Sequence, residues 1–334
     1  MESAVLPYCS SNDTDIHPVE PNHLAFKSQR SLFGLIYLLG FIIGAVPQSL
    51  CLYSICHPHH LKYPCYKLML FVSVLDLCNL TTSFLISGIY SIAGIQHCKH
   101  GYVVIVVGYA TLWLWFAYSA SAMVLALNRL LEFTSKTLSD LFFGGYRSYL
   151  WLIVIVSYAS AIQFTVPRPF YFYNPDEGAW NFFTLNPNHT NINHVFNNIF
   201  KFLFVTISYG VMWCLLKHKM KVGSALGGQI STLEAKLSIQ ALIVGILAAF
   251  STIGYLAMSY LPVKDVPMMG FLGEWLWASV HGGSAYIYLI MNRSIRSTAF
   301  QCLKPQYKIS NTTTTRIQTI SAQSNMFMRN SRIP

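Results

Sequence analysis

Seven separate runs of about 20 apolar residues, each the length a helix needs to cross lipid hydrocarbon, constrain this chain more than any other feature. They cover residues 32–56, 66–92, 102–131, 149–166, 195–216, 237–261 and 268–291. Lipid offers the backbone no hydrogen-bond partner, so an unbroken apolar run of this length is satisfied only as a helix. The expectation is an all-α membrane protein, a seven-transmembrane helix bundle. Only 10% of residues are charged, against about 25% in an ordinary soluble domain.

The excess of 22 Lys+Arg over 12 Asp+Glu suggests an anionic partner, but its placement points away from nucleic acid. With the N-terminus outside and the C-terminus cytoplasmic, most basic residues fall on the inner side, among them Lys62, Lys67, Arg129, Lys136, Arg147, Lys217, Lys219, Lys221 and Lys236. Lys27 and Arg30 oppose Lys62 and Lys67 across helix one, so the later loops carry the orientation. Residues 1–30 have no apolar signal core, so the first helix is expected to act as an uncleaved anchor. The expected organisation is an extracellular tail over 1–30, a transmembrane domain over 31–293, a juxtamembrane helix over 294–303 and a disordered cytoplasmic tail over 304–334.

Of eight cysteines, only Cys9 and Cys98 are placed outside, where they are a candidate disulfide. Sequons at Asn12 and Asn188 fall on the same side and are candidate glycosylation sites; triplets at Asn79, Asn292 and Asn311 fall in a helix or inside. Cys302 is a candidate palmitoylation site. Pro47 is expected to kink helix one. The triplet His57, His59 and His60 at its end lacks a further ligand of suitable spacing, so it reads as an interfacial loop, and no metal or other cofactor is assigned.

Helix two carries Asp76 near its centre, with Ser73, Ser83, Ser87 and Tyr90 on its face. A carboxylate in lipid is costly, so Asp76 must face the bundle interior, be protonated, or hold a cation or partner. Thr111, Trp115, Tyr118 and Ala122 share one face of helix three, a candidate pocket wall, while Trp113 and Phe116 read as packing. Helix three then ends on Asn128-Arg129, where a charge belongs at the membrane surface. Residues 167–193 hold seven aromatics and read as an ordered lid. Residues 217–236 read as a basic loop that attracts membrane lipid or a cytosolic partner. Glu274, Trp277, His281 and Tyr288 lie on one face of helix seven.

Several of these stretches resemble the nematode serpentine chemoreceptors of class T (Srt). They are Cys65-Tyr66-Lys67, Leu75-Asp76, Leu125-Ala126-Leu127-Asn128-Arg129, Gly178-Ala179-Trp180, His194-Val195-Phe196-Asn197-Asn198, and Ile287-Tyr288-Leu289-Ile290-Met291-Asn292-Arg293 with Ile295-Arg296. The resemblance implies a G-protein-coupled receptor in the plasma membrane of a sensory neuron or its cilium. Such a receptor detects a small-molecule ligand and signals through a heterotrimeric G protein. It also places Asn128-Arg129 where rhodopsin-like receptors carry an acid and an arginine. The chain departs from the rhodopsin-like pattern in three places: the lid has no cysteine, helix six has no proline between 237 and 260, and Ser284 stands where helix seven is expected to carry proline.

The ligand pocket is therefore expected among Thr111, Trp115, Tyr118, Tyr255, Glu274, Trp277 and His281. The signalling switch is expected at Asp76, Asn128, Arg129, Glu132, Tyr288, Asn292 and Arg293, with Glu132 the candidate partner of Arg129 at i, i+3. A proton-coupled transporter using Asp76, Glu274 and His281 is the alternative, although no internal repeat supports it. No catalytic constellation lies within the helices, so the chain is not expected to be an enzyme. Helix seven lacks a lysine between 268 and 291, which sets aside a retinal-bound pump.

Overall fold

The computed structural model describes residues 24–165, 170–175, 177–183, 192–225, 232–260 and 268–301. Cys9, Asn12, Asn188, Cys302 and the tail from 304 lie outside the described residues, as do the side chains of Cys98 and Tyr255. Residues 300–334 form a separate unit, of which only Phe300 and Gln301 are described.

Seven helical spans account for most of the remainder. They are Leu24–Ile55, Pro64–Ala93, Tyr102–Thr134, Arg147–Thr165, Ile192–Ala225, Thr232–Tyr260 and Met269–Met291, followed by a terminal helix, Arg293–Gln301. Among the described residues the first five are long and apolar enough to cross a membrane, and the sixth contributes the apolar stretch Leu242–Gly254. Glu274, His281 and the tryptophans lower the hydropathy of the seventh. The first span packs on the second and seventh, the third on the second, fourth and fifth, and the sixth on the fifth and seventh. The outward surface is apolar, with Leu35, Ile43, Val103, Ile153, Ile207, Ile246 and Ile290 all exposed. That is the surface a lipid-embedded bundle presents, whereas a soluble protein rarely shows so wide an apolar patch.

The first span runs through Pro47 as one continuous helix. The fifth span differs from expectation. It stays helical through the basic cluster at Lys217, His218, Lys219 and Lys221 as far as Ala225, because nothing in that cluster breaks a helix and Lys217 lies over the Trp213 ring. The second span changes character at a π-helical turn, Thr81–Ile86. There Thr81 donates to the Leu77 carbonyl, Thr82 to Asn79 and Ser87 to Thr82, so hydroxyls take up carbonyls that the wider turn loosens. Such a turn advances the register by a residue, re-aiming everything beyond it, and is common at functional sites.

Between the fourth and fifth spans the chain makes an antiparallel hairpin, β1 (Phe170–Asn174) paired with β2 (Ala179–Phe183). Its turn closes with Gly178 at φ 69°, a left-handed conformation glycine adopts without strain, and its N–H donates to the Asn174 carbonyl. The aromatic stretch expected to be a lid is thus a buried plug: Tyr171, Phe172, Tyr173, Ala179 and Trp180 are all buried. Glycines admit it. A Cβ on Gly108 of the third span would collide with the Tyr171 carbonyl, and one on Gly270 of the seventh would sit 2.9 Å from the Ala179 Cβ.

Candidate ligand-binding and signalling site

At the hairpin end, four hydrogen bonds fix the plug to the bundle. The Trp180 backbone N–H donates to Glu274 Oε1 at 3.0 Å, and its indole N–H to Ser87 Oγ at 2.9 Å. Tyr37 donates to the Gly178 carbonyl at 2.6 Å, and Tyr173 shares a 2.6 Å bond with Ser91. Glu274 is buried, and its second oxygen has no partner among the described residues. Ser87 and Ser91 lie beyond the π-helical turn, so that local defect aims them at the plug.

Below the plug, the second and seventh spans are joined through Asp76. His281 Nδ1 lies 2.7 Å from Asp76 Oδ1, and the Ser284 hydroxyl donates to Oδ2 at 3.0 Å. All three residues are buried. Ser284, at the position where a helix-seven proline is expected, therefore supplies one of the partners that a mid-membrane carboxylate needs. His281 Nε2 has no partner among the described residues. The imidazole packs edge-on against Tyr118, centroids 4.4 Å apart, and against Trp115 at 6.0 Å; Trp115 in turn meets Trp277 at 6.1 Å.

The third span is tied to the fourth and fifth by a pair of asparagines to which the sequence alone assigns no role. Trp115 donates to Asn198 Oδ1 at 2.8 Å, Tyr158 donates to Asn197 Oδ1 at 3.0 Å, and Asn197 donates to Ser119 Oγ at 3.1 Å. Lys201, one turn further along, is absent from the candidate residues of the sequence. It is buried, with its Nζ 3.8 Å from the centre of the Trp115 ring and 5.6 Å from that of Tyr118. An ionisable residue inside an apolar run is itself the signal that could have found it.

Lys201, Asp76, Tyr118, Ser284 and Tyr288 line a small internal cavity of about 30 Å³ between the second, third, fifth, sixth and seventh spans. Of the expected pocket residues whose side chains are described, only Tyr118 lines it directly. Trp115, Trp277 and His281 form a wall around Tyr118 and Lys201, whereas Thr111 bonds back to the Val107 carbonyl and Glu274 is engaged with the hairpin.

At the opposite end, Arg129 Nη1 lies 3.3 Å from Glu132 Oε2, with the Arg129 side chain 11% and the Glu132 side chain 45% exposed. Asn128 is buried, and neither atom of its amide has a partner among the described residues. Asn292 ends the seventh span: its amide donates to Tyr66 at 3.2 Å, and its oxygen accepts from the Ser294 and Ile295 N–H groups, capping the terminal helix. Arg296 donates back to the Leu289 carbonyl, while Arg293 is exposed. His60, expected in a plain interfacial loop, is buried instead. Its ring lies 2.7 Å from the Ser54 carbonyl and 2.8 Å from the Ser294 hydroxyl.

This arrangement, a plugged end, a polar middle and an arginine at the far end, can be set against known proteins. The sequence profile described as "Serpentine type 7TM GPCR chemoreceptor Srt" matches residues 5–312. The chain belongs to the Srt family. Among solved structures, that of squid rhodopsin superposes with a TM-score of 0.68 over 86% of this chain and 89% of that one, at 13% sequence identity. Identity so low shows a shared seven-helix fold and no more. No curated protein sequence matches the chain. The Srt chain is thus a multi-pass membrane receptor of the G-protein-coupled class. The family is one of receptors rather than enzymes.

Proposed function

We propose that this Srt receptor sits in the plasma membrane with its N-terminus outside, binds a small external chemical, and passes the signal to a heterotrimeric G protein. The observation that carries the reading is the buried junction of Asp76, His281 and Ser284. It joins the second span to the seventh between the plugged end and the arginine end, and it borders the internal cavity. A ligand that prefers one arrangement of these spans shifts the population toward it, and the Arg129 end reports the change.

In this reading Tyr118, Trp115, Trp277 and His281 form the wall that senses the ligand, with Thr111, Tyr255 and Glu274 nearer the outside. Asp76, Asn128, Arg129, Glu132, Tyr288, Asn292 and Arg293 form the switch. The basic residues of the inner loops favour the cytoplasm and contact anionic lipid. The outer tail, proposed over residues 1–30 although helical from Leu24 onward, carries a glycan at Asn12, the segment before the fifth span carries one at Asn188, and a disulfide joins Cys9 to Cys98. The helix over 294–303 is anchored through Cys302, and the tail follows from 304. Expression in a sensory neuron or its cilium is part of this proposal, supported by the family's description as chemoreceptors.

The Asp76 to His281 contact is also what a proton-coupled carrier would use. Membranes carrying the full chain separate the two readings. The receptor reading expects ligand-dependent nucleotide exchange on a G protein without solute flux, whereas flux without exchange would support the carrier.

A further inference from the structure

We infer that Lys201 is the anchor for an anionic group on the ligand, and that the receptor's ligands are small organic carboxylates. This rests on the receptor reading above and names its ligand class. Lys201 is 3% exposed, on a span whose outward face is apolar. Three ion pairs occur among the described residues, and Lys201 is in none of them. The acid that shares its cavity, Asp76, has one oxygen engaged by His281 and the other by Ser284.

What holds the ammonium is the face of Trp115 at 3.8 Å, with Tyr118 further off at 5.6 Å. A desolvated cation–π contact is worth about 2 kcal/mol, whereas removing an ammonium from water costs several. The rings therefore position the charge without compensating it, and no acid among the described residues pairs with it. A carboxylate entering the cavity supplies an anion. It also reaches a wall on which the rings of Trp115, Tyr118 and His281 already meet edge to face or stacked. Beyond these rings the lining is mainly apolar, with Val205, Val244 and Ala248 beside the hydroxyls of Thr206, Tyr209 and Thr252, and its volume of about 30 Å³ is roughly one water's share, so even a short carboxylate enters only as the spans part, the arrangement a receptor ligand would select.

The test is thermal unfolding of the purified full chain in detergent with acetate, butanoate, hexanoate or benzoate, against butanamide and butan-1-ol at equal ionic strength. The expected result is that at least one carboxylate raises the midpoint and the neutral analogues do not. Lys201→Met should weaken that carboxylate about 10- to 100-fold, the loss of one charged hydrogen bond, while Lys201→Arg retains part of the affinity. Should the Met variant not be recovered, Lys201→Gln makes the same comparison. Equal stabilisation by butanamide, unchanged carboxylate affinity in the Lys201 variants, or no effect of any carboxylate overturns the inference. The readout needs no G protein. Carboxylate binding without nucleotide exchange would uphold Lys201 and overturn the receptor reading, and exchange driven only by neutral or cationic chemicals would do the reverse.

Discussion

Asp76 and His281, 205 residues apart in the chain, meet at 2.7 Å in a part of the bundle where both are wholly buried. Hydrogen bonds between helices in a membrane are worth about 0.6 kcal/mol on average and up to about 1.7, whereas breaking a buried ion pair costs about 3–5. The size of the coupling therefore reports how the pair is held. Unfolding of Asp76→Asn, His281→Gln and the double variant should give a coupling energy above about 1 kcal/mol. Additive effects would mean that the two side chains act independently.

The plug depends on close backbone approach at Gly108. Gly108→Ala drives a methyl into the Tyr171 carbonyl and should cost about 1–3 kcal/mol, with faster proteolysis of the hairpin. At Gly210, in the fifth span, an added methyl would meet nothing within 4 Å among the described residues. Gly210→Ala should therefore be neutral or stabilise the helix by about 0.5–1 kcal/mol. Equal effects at the two sites would remove the packing argument.

His60 links three segments: the end of the first span through Ser54, the second through ring packing on Tyr66 at 4.7 Å, and the terminal helix through Ser294. Burial depresses its pKa and outweighs the Ser54 carbonyl, which alone would raise it; the neighbouring His57 and His59 also depress it. The folded protein thus keeps the ring neutral at pH values where the unfolded chain, with a pKa near 6.5, takes up a proton. The resulting stability is complete above about pH 6.5 and is lost as pH falls toward the depressed value. The destabilisation caused by His60→Gln should accordingly be largest near pH ~7.5 and shrink toward pH ~5.5. A difference that stays constant across that range would show that the ring's protonation has no part in the junction.

The helices are legible in the sequence because lipid leaves the backbone one choice, and the apolar windows mark where it applies. Asp76 and His281 are legible as polar residues set within apolar runs, Arg129 as a charge that closes an apolar run at the membrane surface, and Glu132 follows from helical spacing, at 3.3 Å from Arg129. Their pairing across the bundle is not, since periodicity within a helix carries no information about which face of another helix it meets. The receptor reading of the sequence accordingly places Asp76 and His281 in different sites, and only the carrier alternative groups them. The hairpin escapes the sequence reading although Phe170–Asn174 and Ala179–Phe183 flank a turn ending in glycine. Aromatic content points to an ordered lid, and the burial of these rings shows how deeply it is set into the bundle. Lys201 carries the same signal as Asp76, hidden among the many basic residues that set the orientation.

The Arg129 to Glu132 contact is half exposed, so it contributes only a few tenths of a kcal/mol. Glu132→Gln should therefore leave basal signalling within about twofold of wild type. Arg129 itself is different, because its side chain is nearly buried next to Asn128, whose amide has no partner among the described residues.

The most direct measurement is nucleotide exchange on heterotrimeric G proteins in membranes holding equal surface amounts of the wild-type chain and Arg129→Ala, over a panel of small chemicals that includes carboxylates. The account predicts stimulated exchange by the wild type and none by the variant. Equal exchange by both, or ligand-driven solute flux with no exchange by either, would contradict it.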